Sequence, residues 1–396
     1  MSRTRDAVVH DVGSRREPLL SLSHRLHAHP EVAWEEHRAA AWVGEAMADG
    51  GFDVEASYLG LDTALRATVG SGALHVVLCA EYDALPGLGH ACGHNIIASS
   101  SVGAALALGR VADELGLTVT LLGTPAEEGG GGKVVLLERG AFDGVHLALM
   151  AHPGPVDVAR ARPYAVSHLD IAYDGKAAHA AAYPEDGVNA ADAFTVAQVA
   201  IGLLRQQLSS GTRVHGLVTR SGEAPNAIPQ RSEGRWYVRG DTTSLMESAR
   251  EKVLRCFEAG ALATGCGLHV DEPTAPYAEF RTHDAVLDLY VRNAESLGRV
   301  FADGDSGLGR MSRASTDMGN VSQVVAAIHP YVGIGSAPAV NHQREFAAAC
   351  VTPSADAALL DAATALALTV VDVAADDTVR QRLQSKSGSE PSGSGA

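Results

Sequence analysis

The stretch LHVVLCAEYDALPGLGHACGHNIIA, residues 74–98, begins as an apolar run and later brings a cysteine and two histidines close together. Its opening part, 74–80, predicts a strand that is buried on both faces. The Ala-rich segment 95–114 predicts an apolar helix soon after that strand. Further along the chain, strands are predicted at 117–123 and 147–151, and a helix is predicted between them at 132–142. This alternation is typical of an α/β domain with a mostly parallel sheet and helices on both faces.

The pattern changes near residue 165, where the strands begin to alternate between polar and apolar residues. Together with helices predicted at 188–208 and 243–264, this alternation indicates a small α+β domain with an antiparallel sheet. The earlier pattern then returns, so we predict one α/β domain that is interrupted by an insertion. The predicted segments are 1–165 and 280–384 for the α/β domain, 166–279 for the insertion, and 385–396 for a disordered, low-complexity tail.

Composition and charge argue against several classes of partner. The chain has 396 residues and a formal net charge of -16, and it contains no Lys/Arg cluster that would follow a phosphate backbone. We therefore expect neither nucleic acid nor an anionic membrane surface as a partner. The N-terminal residues include no apolar leader, and we expect no apolar run long enough to span a membrane. Five scattered cysteines indicate reduced thiols and a cytoplasmic location.

Three of the predicted strands are followed by side chains that can bind metals. The first strand is followed by Cys92 and His94, the second by Glu127 and Glu128, and the third by His152. In an open α/β sheet, sites form at the carboxyl ends of the strands, so these loops should lie side by side. A thiolate and an imidazole two residues apart can share one ion, and Zn is the usual partner of a sulfur ligand. The convergence of the three loops predicts a metal site.

Each of these motifs also has a purely structural interpretation. The loop around His90 could hold a small buried thiol, and His90 itself could be a third ligand or a group that orients the others. Adjacent Glu127 and Glu128 could supply one metal ligand and one general base, although a solvated acidic pair is common. A histidine at a strand end, such as His152, is often a cap or a core residue. Similar alternatives, namely turn, cap or ligand-orienting roles, apply to His342, His179, Asp83 and Asp317.

Seven motifs occur in the same order as in a known family. They are LHAHPEVAWEEHRAA, GHACGHN, GTPAEEGGGG, MAHPGP, GKAAHAAAYPEDGVNAADA, GEAPNAIP and STDMGNVS. The chain resembles the dinuclear-metal amidohydrolases and peptidases that include carboxypeptidase G, aminoacylase and the plant auxin-conjugate hydrolases. Within that family it resembles the branch of aminobenzoyl-glutamate hydrolase and the aminoacylase-like dipeptidases. The resemblance covers roughly residues 18–375.

The resemblance implies a catalytic α/β domain, a lid domain that usually mediates dimerisation, and two divalent ions per subunit, Zn2+ or Mn2+, with Co2+ or Ni2+ also compatible. The implied metal ligands are Cys92, His94, Glu128, His152 and His342. Glu127 is implied as the general base. His179 is implied as a lid histidine that reaches a neighbouring subunit's site and supports the oxyanion, and Asn226 as a substrate contact. Separately, Arg239 and Arg231 in the insertion could pair with a substrate carboxylate or be ordinary surface residues.

Two departures from the family pattern concern the substrate. Asn95 stands where the family often has Asp, and STDM, with Asp317, stands where it frequently has Ser-Glu-Asp-Phe. The same variation occurs in the aminobenzoyl-glutamate-like branch, so it indicates a subfamily.

We therefore predict a metal-dependent amidohydrolase that acts as a homodimer and cleaves the C–N amide bond of an N-acyl amino acid, an aryl-amide conjugate or a dipeptide. One alternative is a hydrolytic deaminase of an aromatic amine on the same scaffold, which would release ammonia without a second organic fragment. The other is a non-catalytic metal-dependent binding or scaffold protein. A dehydrogenase is disfavoured because no G-x-G-x-x-G sequence follows the first strand.

Overall fold

The structure, a computed structural model, describes residues 2–305 and 307–386. The chain forms two compact units: one consists of the chain up to Arg162 together with the chain from Phe280 onward, and the other is Pro163–Glu279. The insertion predicted from the sequence was 166–279. The predicted disordered tail, 385–396, lies outside the described residues beyond Lys386, and its first two residues end the last helix.

The part of the chain that precedes the insertion alternates helices with strands. Its helices are α1 (Ser2–Ser14), α2 (Arg16–Ala28), α3 (His37–Asp49), α4 (His94–Gly109), α5 (Ala112–Leu115) and α6 (Gly132–Glu138). Its strands are β1 (Asp53–Ala56), β2 (Leu65–Val69), β3 (Leu74–Ala80), β4 (Leu117–Gly123), β5 (Leu147–Leu149) and β6 (His152–Gly154). The predicted bounds of β3 and β4 agree with the structure, whereas the helix predicted over 95–114 is interrupted at Arg110 and Val111.

The second unit is a four-stranded antiparallel sheet with two helices. Its elements are β7 (Ala165–Asp174), α7 (Ala190–Leu204), β8 (Arg213–Arg220), β9 (Arg231–Gly240), α8 (Thr243–Thr264) and β10 (Gly267–Asp271). The strand order is β10-β7-β9-β8, and all three pairings are antiparallel. Its core includes Phe194, Trp236 and Phe257, whose rings contact one another. The α+β pattern of this segment is therefore as the sequence predicts.

The chain after the insertion completes the first unit. Its elements are α9 (Asp284–Ser296), α10 (Met318–Val324), β11 (Ala326–Ile328), β12 (Tyr331–Gly333), α11 (Arg344–Ala349), α12 (Pro353–Ala375) and α13 (Asp377–Lys386). Short 3-10 helices occur at Tyr58–Gly60, Pro184–Asp186, Arg205–Gln207 and Gly307–Arg313.

The main sheet of the first unit has the strand order β1-β2-β4-β3-β5-β11. The four strands from β4 to β11 are parallel, and β2 and β1 are antiparallel to their neighbours. β3 and β4 are buried along almost their whole length because residues on both faces pack against other elements. This sheet confirms the predicted α/β class, with a mostly parallel sheet.

Helix α12 is long and apolar enough to cross a membrane by length and composition, so the expectation of no such run was wrong. In the structure, however, 78% of its apolar window is buried inside the protein. It packs against α4, α9 and α1. A helix that is covered by other helices is apolar on most of its surface, which accounts for its composition.

Candidate metal centre

The carboxyl ends of neighbouring parallel strands carry the predicted site. β3 pairs in parallel with β4 on one side and with β5 on the other, so these three strands end at one edge of the sheet. The loop after β3 leads into α4, which begins at His94, and the loop after β4 carries Glu127 and Glu128. His152 is the first residue of β6, and His342 lies just before α11. The sheet topology thus brings side chains from distant sequence motifs together in one group.

The described residues contain four overlapping groups whose potential ligand atoms lie within 4.8 Å of one another; one consists of Glu81, Glu127 and Asp317, and the other three consist of the predicted side chains alone. These three groups are Cys92, His94 and His152; Cys92, Glu128 and His342; and His94, Glu127 and Glu128. All five side chains implied as ligands, together with Glu127, therefore meet in one place. A thiolate, three imidazoles and two carboxylates form a donor set that suits divalent transition metals.

The ring of His94 is fully buried and points one nitrogen at this cluster. Its Nδ1 lies 2.9 Å from Asp83 Oδ1, which fixes the ring orientation. Its Nε2 has no hydrogen-bond partner among the described residues, and it lies 3.5 Å from Glu81 Oε2. Buried polar atoms rarely lack a partner, so this nitrogen fits a site for a cation. An Asp that accepts from the opposite ring nitrogen is the usual support of a metal-bound His.

The Cys92 thiol has the electrostatic surroundings of a thiolate. Burial alone would raise the pKa of Cys92, but the charge and contact of His152 and the nearby rings of His342 and His94 hold that pKa well below its usual range. Cys92 Sγ lies 3.6 Å from His152 Nε2. The proximity of Cys92 and Glu128 raises the pKa of His342 to about 11. Because the thiolate is the form of cysteine that binds metals, the lowered pKa of Cys92 favours binding of a cation at this cluster.

Glu127 is more buried than its sequence neighbour Glu128. It is 7% exposed, and burial followed by the charges of Glu81 and Glu128 raises its pKa well above the usual range. A carboxyl group with a raised pKa takes up a proton readily, as a general base and subsequent acid requires.

Residues 77–380 match the sequence profile described as Peptidase family M20/M25/M40. This protein belongs to that family. The Xaa-Arg dipeptidase of Mus musculus is 40% identical over 371 residues, which cover 90% of this chain and 86% of the relative. One of the subunits of the p-aminobenzoyl-glutamate hydrolase of Escherichia coli is 30% identical, over 63% of this chain and 56% of the relative. Family membership makes this M20 peptidase a hydrolase of C–N amide bonds, as the sequence predicts.

Solved structures show the same fold. A putative aminohydrolase from methicillin-resistant Staphylococcus aureus superposes with a TM-score of 0.74 at 19% identity, covering 93% of this chain and 99% of that one. A dinuclear metal binding peptidase from the M20 family of Bacillus subtilis has a TM-score of 0.66 at 20% identity, covering 91% of this chain and 99% of that one.

Behind the metal-type cluster of this M20 peptidase lies a buried charge group that the sequence analysis largely missed. Lys133 Nζ donates to Glu81 Oε1 and, over 2.8 Å, to Asp317 Oδ1. All three side chains are fully buried. Lys133 holds the pKa of Glu81 down to about 2 against the effect of burial, whereas burial raises the pKa of Asp317 to about 6. The sequence suggested that Asp317 could orient a metal ligand. In the structure, Asp317 is paired with Lys133 instead. Glu81 had a visible signal, since it directly follows the predicted strand.

His90 lies outside the three ligand groups. Its ring is buried and stacks on His27 with 6.1 Å between the centroids. Burial lowers the pKa of His90 to about 3, so the ring is neutral at physiological pH. These contacts favour a supporting role for His90.

The four candidate residues of the insertion all belong to the second unit, where His179 and Asn226 are neighbours and Arg231 is paired with Asp174 and Glu233. His179 forms an isolated bridge with Ala227, and Ala180 N donates to Asn226 O over 3.0 Å. The side chains of His179 and Asn226 are both exposed. Arg239 lies on β9 instead, where its Nε is 3.1 Å from His215 Nε2 and its guanidinium is 5.7 Å from the Tyr237 ring centroid.

Proposed function

We propose that this M20 peptidase is a dinuclear-metal dipeptidase that hydrolyses the amide bond of dipeptides and related N-acyl amino acids. The observation that carries the proposal is the single cluster of Cys92, three histidines and two carboxylates, with His94 Nε2 directed into it. The Bacillus subtilis neighbour, described as a dinuclear metal binding peptidase, supports two ions. Zn2+ or Mn2+ are proposed, with Co2+ or Ni2+ as acceptable substitutes.

The proposed ligands are the five side chains that converge on the cluster: Cys92, His94, Glu128, His152 and His342. When bound, divalent ions supply Lewis-acid polarisation of the scissile carbonyl and lower the pKa of a bound water. The protein holds the donor atoms in place beforehand, because Asp83 fixes both the His94 ring and the Glu128 backbone amide.

Glu127 is proposed as the proton carrier. Its carboxylate accepts a proton from the attacking water, whose oxygen bonds to the acyl carbon. As the C–N bond breaks, the same carboxyl returns the proton to the leaving nitrogen. The products are a carboxylic acid and a free amine. Burial and neighbouring carboxylates raise the pKa of Glu127, which makes the protonated form accessible during this cycle.

His179 and Asn226 are proposed to contact the substrate, His179 from a neighbouring subunit. The Nδ1 atom of His179 accepts from Ala181 N and Ala182 N, over 3.3 and 3.2 Å. In a neutral ring the proton then resides on Nε2, so this nitrogen can donate to a developing oxyanion. Arg239 is proposed as a partner for a substrate carboxylate.

The substrate that we propose first is a dipeptide with a C-terminal arginine, because the relative with 40% identity is an Xaa-Arg dipeptidase. The test is a screen of metal-reconstituted protein against Xaa-Arg dipeptides, other dipeptides, N-acyl amino acids and aminobenzoyl-glutamate. Cleavage into an acid and an amine supports the proposal, and preference among the four classes identifies the substrate. Release of ammonia alone would indicate the deaminase. Metal binding without any turnover would indicate a binding protein.

A homodimer is proposed through the second unit. Val199 and Leu203, one helical turn apart on α7, are 59% and 72% exposed, and Leu217 on the edge strand β8 is 59% exposed. Exposed apolar side chains on a helix and on an edge strand favour association with a partner. We expect Leu203→Glu to be monomeric by size-exclusion chromatography with light scattering. Val300→Glu, which replaces an 81% exposed residue of the first unit, should remain dimeric. A monomeric wild-type protein would contradict the dimer.

A cytoplasmic location is also proposed. The five cysteines all lie within the described residues, and each is a free, buried thiol. Such thiols are typical of proteins in a reducing compartment.

A further inference from the structure

The segment 31–36, which precedes α3, contacts both loops that carry the candidate site. Its Glu31 carbonyl accepts from Ala84 N over 2.8 Å, and Val32 forms a parallel bridge with Ala84. Ala84 directly follows Asp83. On the other loop, a Cβ atom added to Gly130 would lie 2.7 Å from Trp34 Nε1, so the Trp34 side chain approaches that backbone closely. The function proposed above leaves this segment without a role.

Glu36 makes the decisive contact of this segment. Its side chain is fully buried, and its Oε1 accepts from Ala126 N over 2.8 Å. Ala126 has a φ of 56°, a left-handed conformation that residues other than glycine rarely adopt. The surrounding structure must therefore hold Ala126 in place. Ala126 directly precedes Glu127, so the direction of the Glu127 side chain depends on this turn.

A second buried carboxylate holds the amide on the other side of Glu127. Asp83 Oδ2 accepts from Glu128 N over 2.9 Å. The two backbone amides that flank Glu127 are thus each bound by a carboxyl group from a different part of the chain. We propose that Glu36 is a positioning residue that fixes the backbone turn at Ala126 and thereby aims Glu127. This inference rests on the proposed function, in which Glu127 carries the proton.

The hydrogen bond from Ala126 N requires an acceptor oxygen on a side chain of the right length, but that side chain does not need to be charged. Burial, followed by the charge of Asp83, raises the pKa of Glu36 to about 7. A carboxyl group accepts from an amide in either protonation state, and so does the amide oxygen of glutamine. Aspartate keeps the carboxylate but is one methylene shorter, so it cannot reach Ala126 N from the same backbone position.

The test therefore compares Glu36→Gln with Glu36→Asp in the metal-loaded, full-length protein. Asp is also a favoured residue at a helix N-cap, the position that Glu36 occupies before α3, so the shorter variant retains the helix start. Val43→Ala, a fully buried position in the middle of α3, is the control for general destabilisation. The readouts are kcat and KM on the substrate found in the screen, metal content by elemental analysis, and Tm.

We expect Glu36→Asp to lose about 100-fold in kcat with little change in KM, the effect of misplacing a reacting group by roughly 1 Å. Glu36→Gln and Val43→Ala should retain most of the wild-type kcat, and all variants should keep their metal. The inference is overturned if Glu36→Asp keeps the wild-type kcat, if it loses metal instead, or if either Glu36→Gln or Val43→Ala is as impaired as Glu36→Asp. Failure of the proposed function can be distinguished from failure of this inference. An inactive wild-type protein or an active Glu127→Gln variant would contradict the proposed function itself.

Discussion

Glu127→Gln is expected to lower kcat by about three orders of magnitude while the protein keeps its metal and its fold. Glutamine preserves the shape of the side chain but cannot accept the proton of the attacking water. The raised pKa of Glu127, which results from burial and the neighbouring carboxylates, supports this carboxyl as the one placed for proton exchange. The measurement is kcat at saturating substrate, with metal content determined on the same sample.

Glu128→Gln is the matched control, because it changes the adjacent carboxylate in the same way. Glu128 Oε1 lies 3.3 Å from His342 Nε2 and belongs to the ligand groups. The expected effect is therefore weaker metal binding, with activity that returns partly at high metal concentration. A fully active Glu127→Gln variant would show that the proton carrier is another group.

Lys133→Met is expected to destabilise the protein by about 4 kcal/mol, because it leaves two buried carboxylates without their cation. Glu81, Asp317 and Lys133 are all fully buried, so water cannot replace the lost charge. In the variant the folded-state pKa values of both carboxyls lie above their unfolded values. The penalty should therefore be fully present at a pH above the unfolded values and should shrink as pH falls through them to about 3, where both carboxyls are mostly protonated in the folded variant and in the unfolded chain.

The measurement is urea unfolding at neutral pH and at a pH of about 3, with Arg16→Met as the control. Arg16 lies 3.9 Å from Glu17 in an exposed pair, and such pairs contribute about 0–1 kcal/mol. The destabilisation should exceed that of the control severalfold at neutral pH. Equal stability of the two variants would contradict the argument that Lys133 neutralises the buried carboxylates.

The sequence predicts best those features that depend on local pattern. β3 and β4 have the predicted bounds because strands buried on both faces are continuous apolar runs. Most of the candidate metal site was predictable because Cys92, His94, Glu127, Glu128 and His152 follow strand ends, whereas His342 was implied only by the family resemblance. The role of Lys133 was not predictable in the same way, since its partner Asp317 is 184 residues away and only folding brings them together. The contact between Glu36 and Ala126, 90 residues apart, has the same origin.

The central claim is that hydrolysis depends on divalent ions held by the Cys92 cluster. Its most direct test is a titration of metal-free protein with Zn2+ or Mn2+, in which bound metal per chain and rate of amide hydrolysis are measured together. We expect no hydrolysis without metal, full activity at two ions per chain, and fewer bound ions in Cys92→Ala. Full activity of the metal-free protein, or unchanged metal content in Cys92→Ala, would contradict the account.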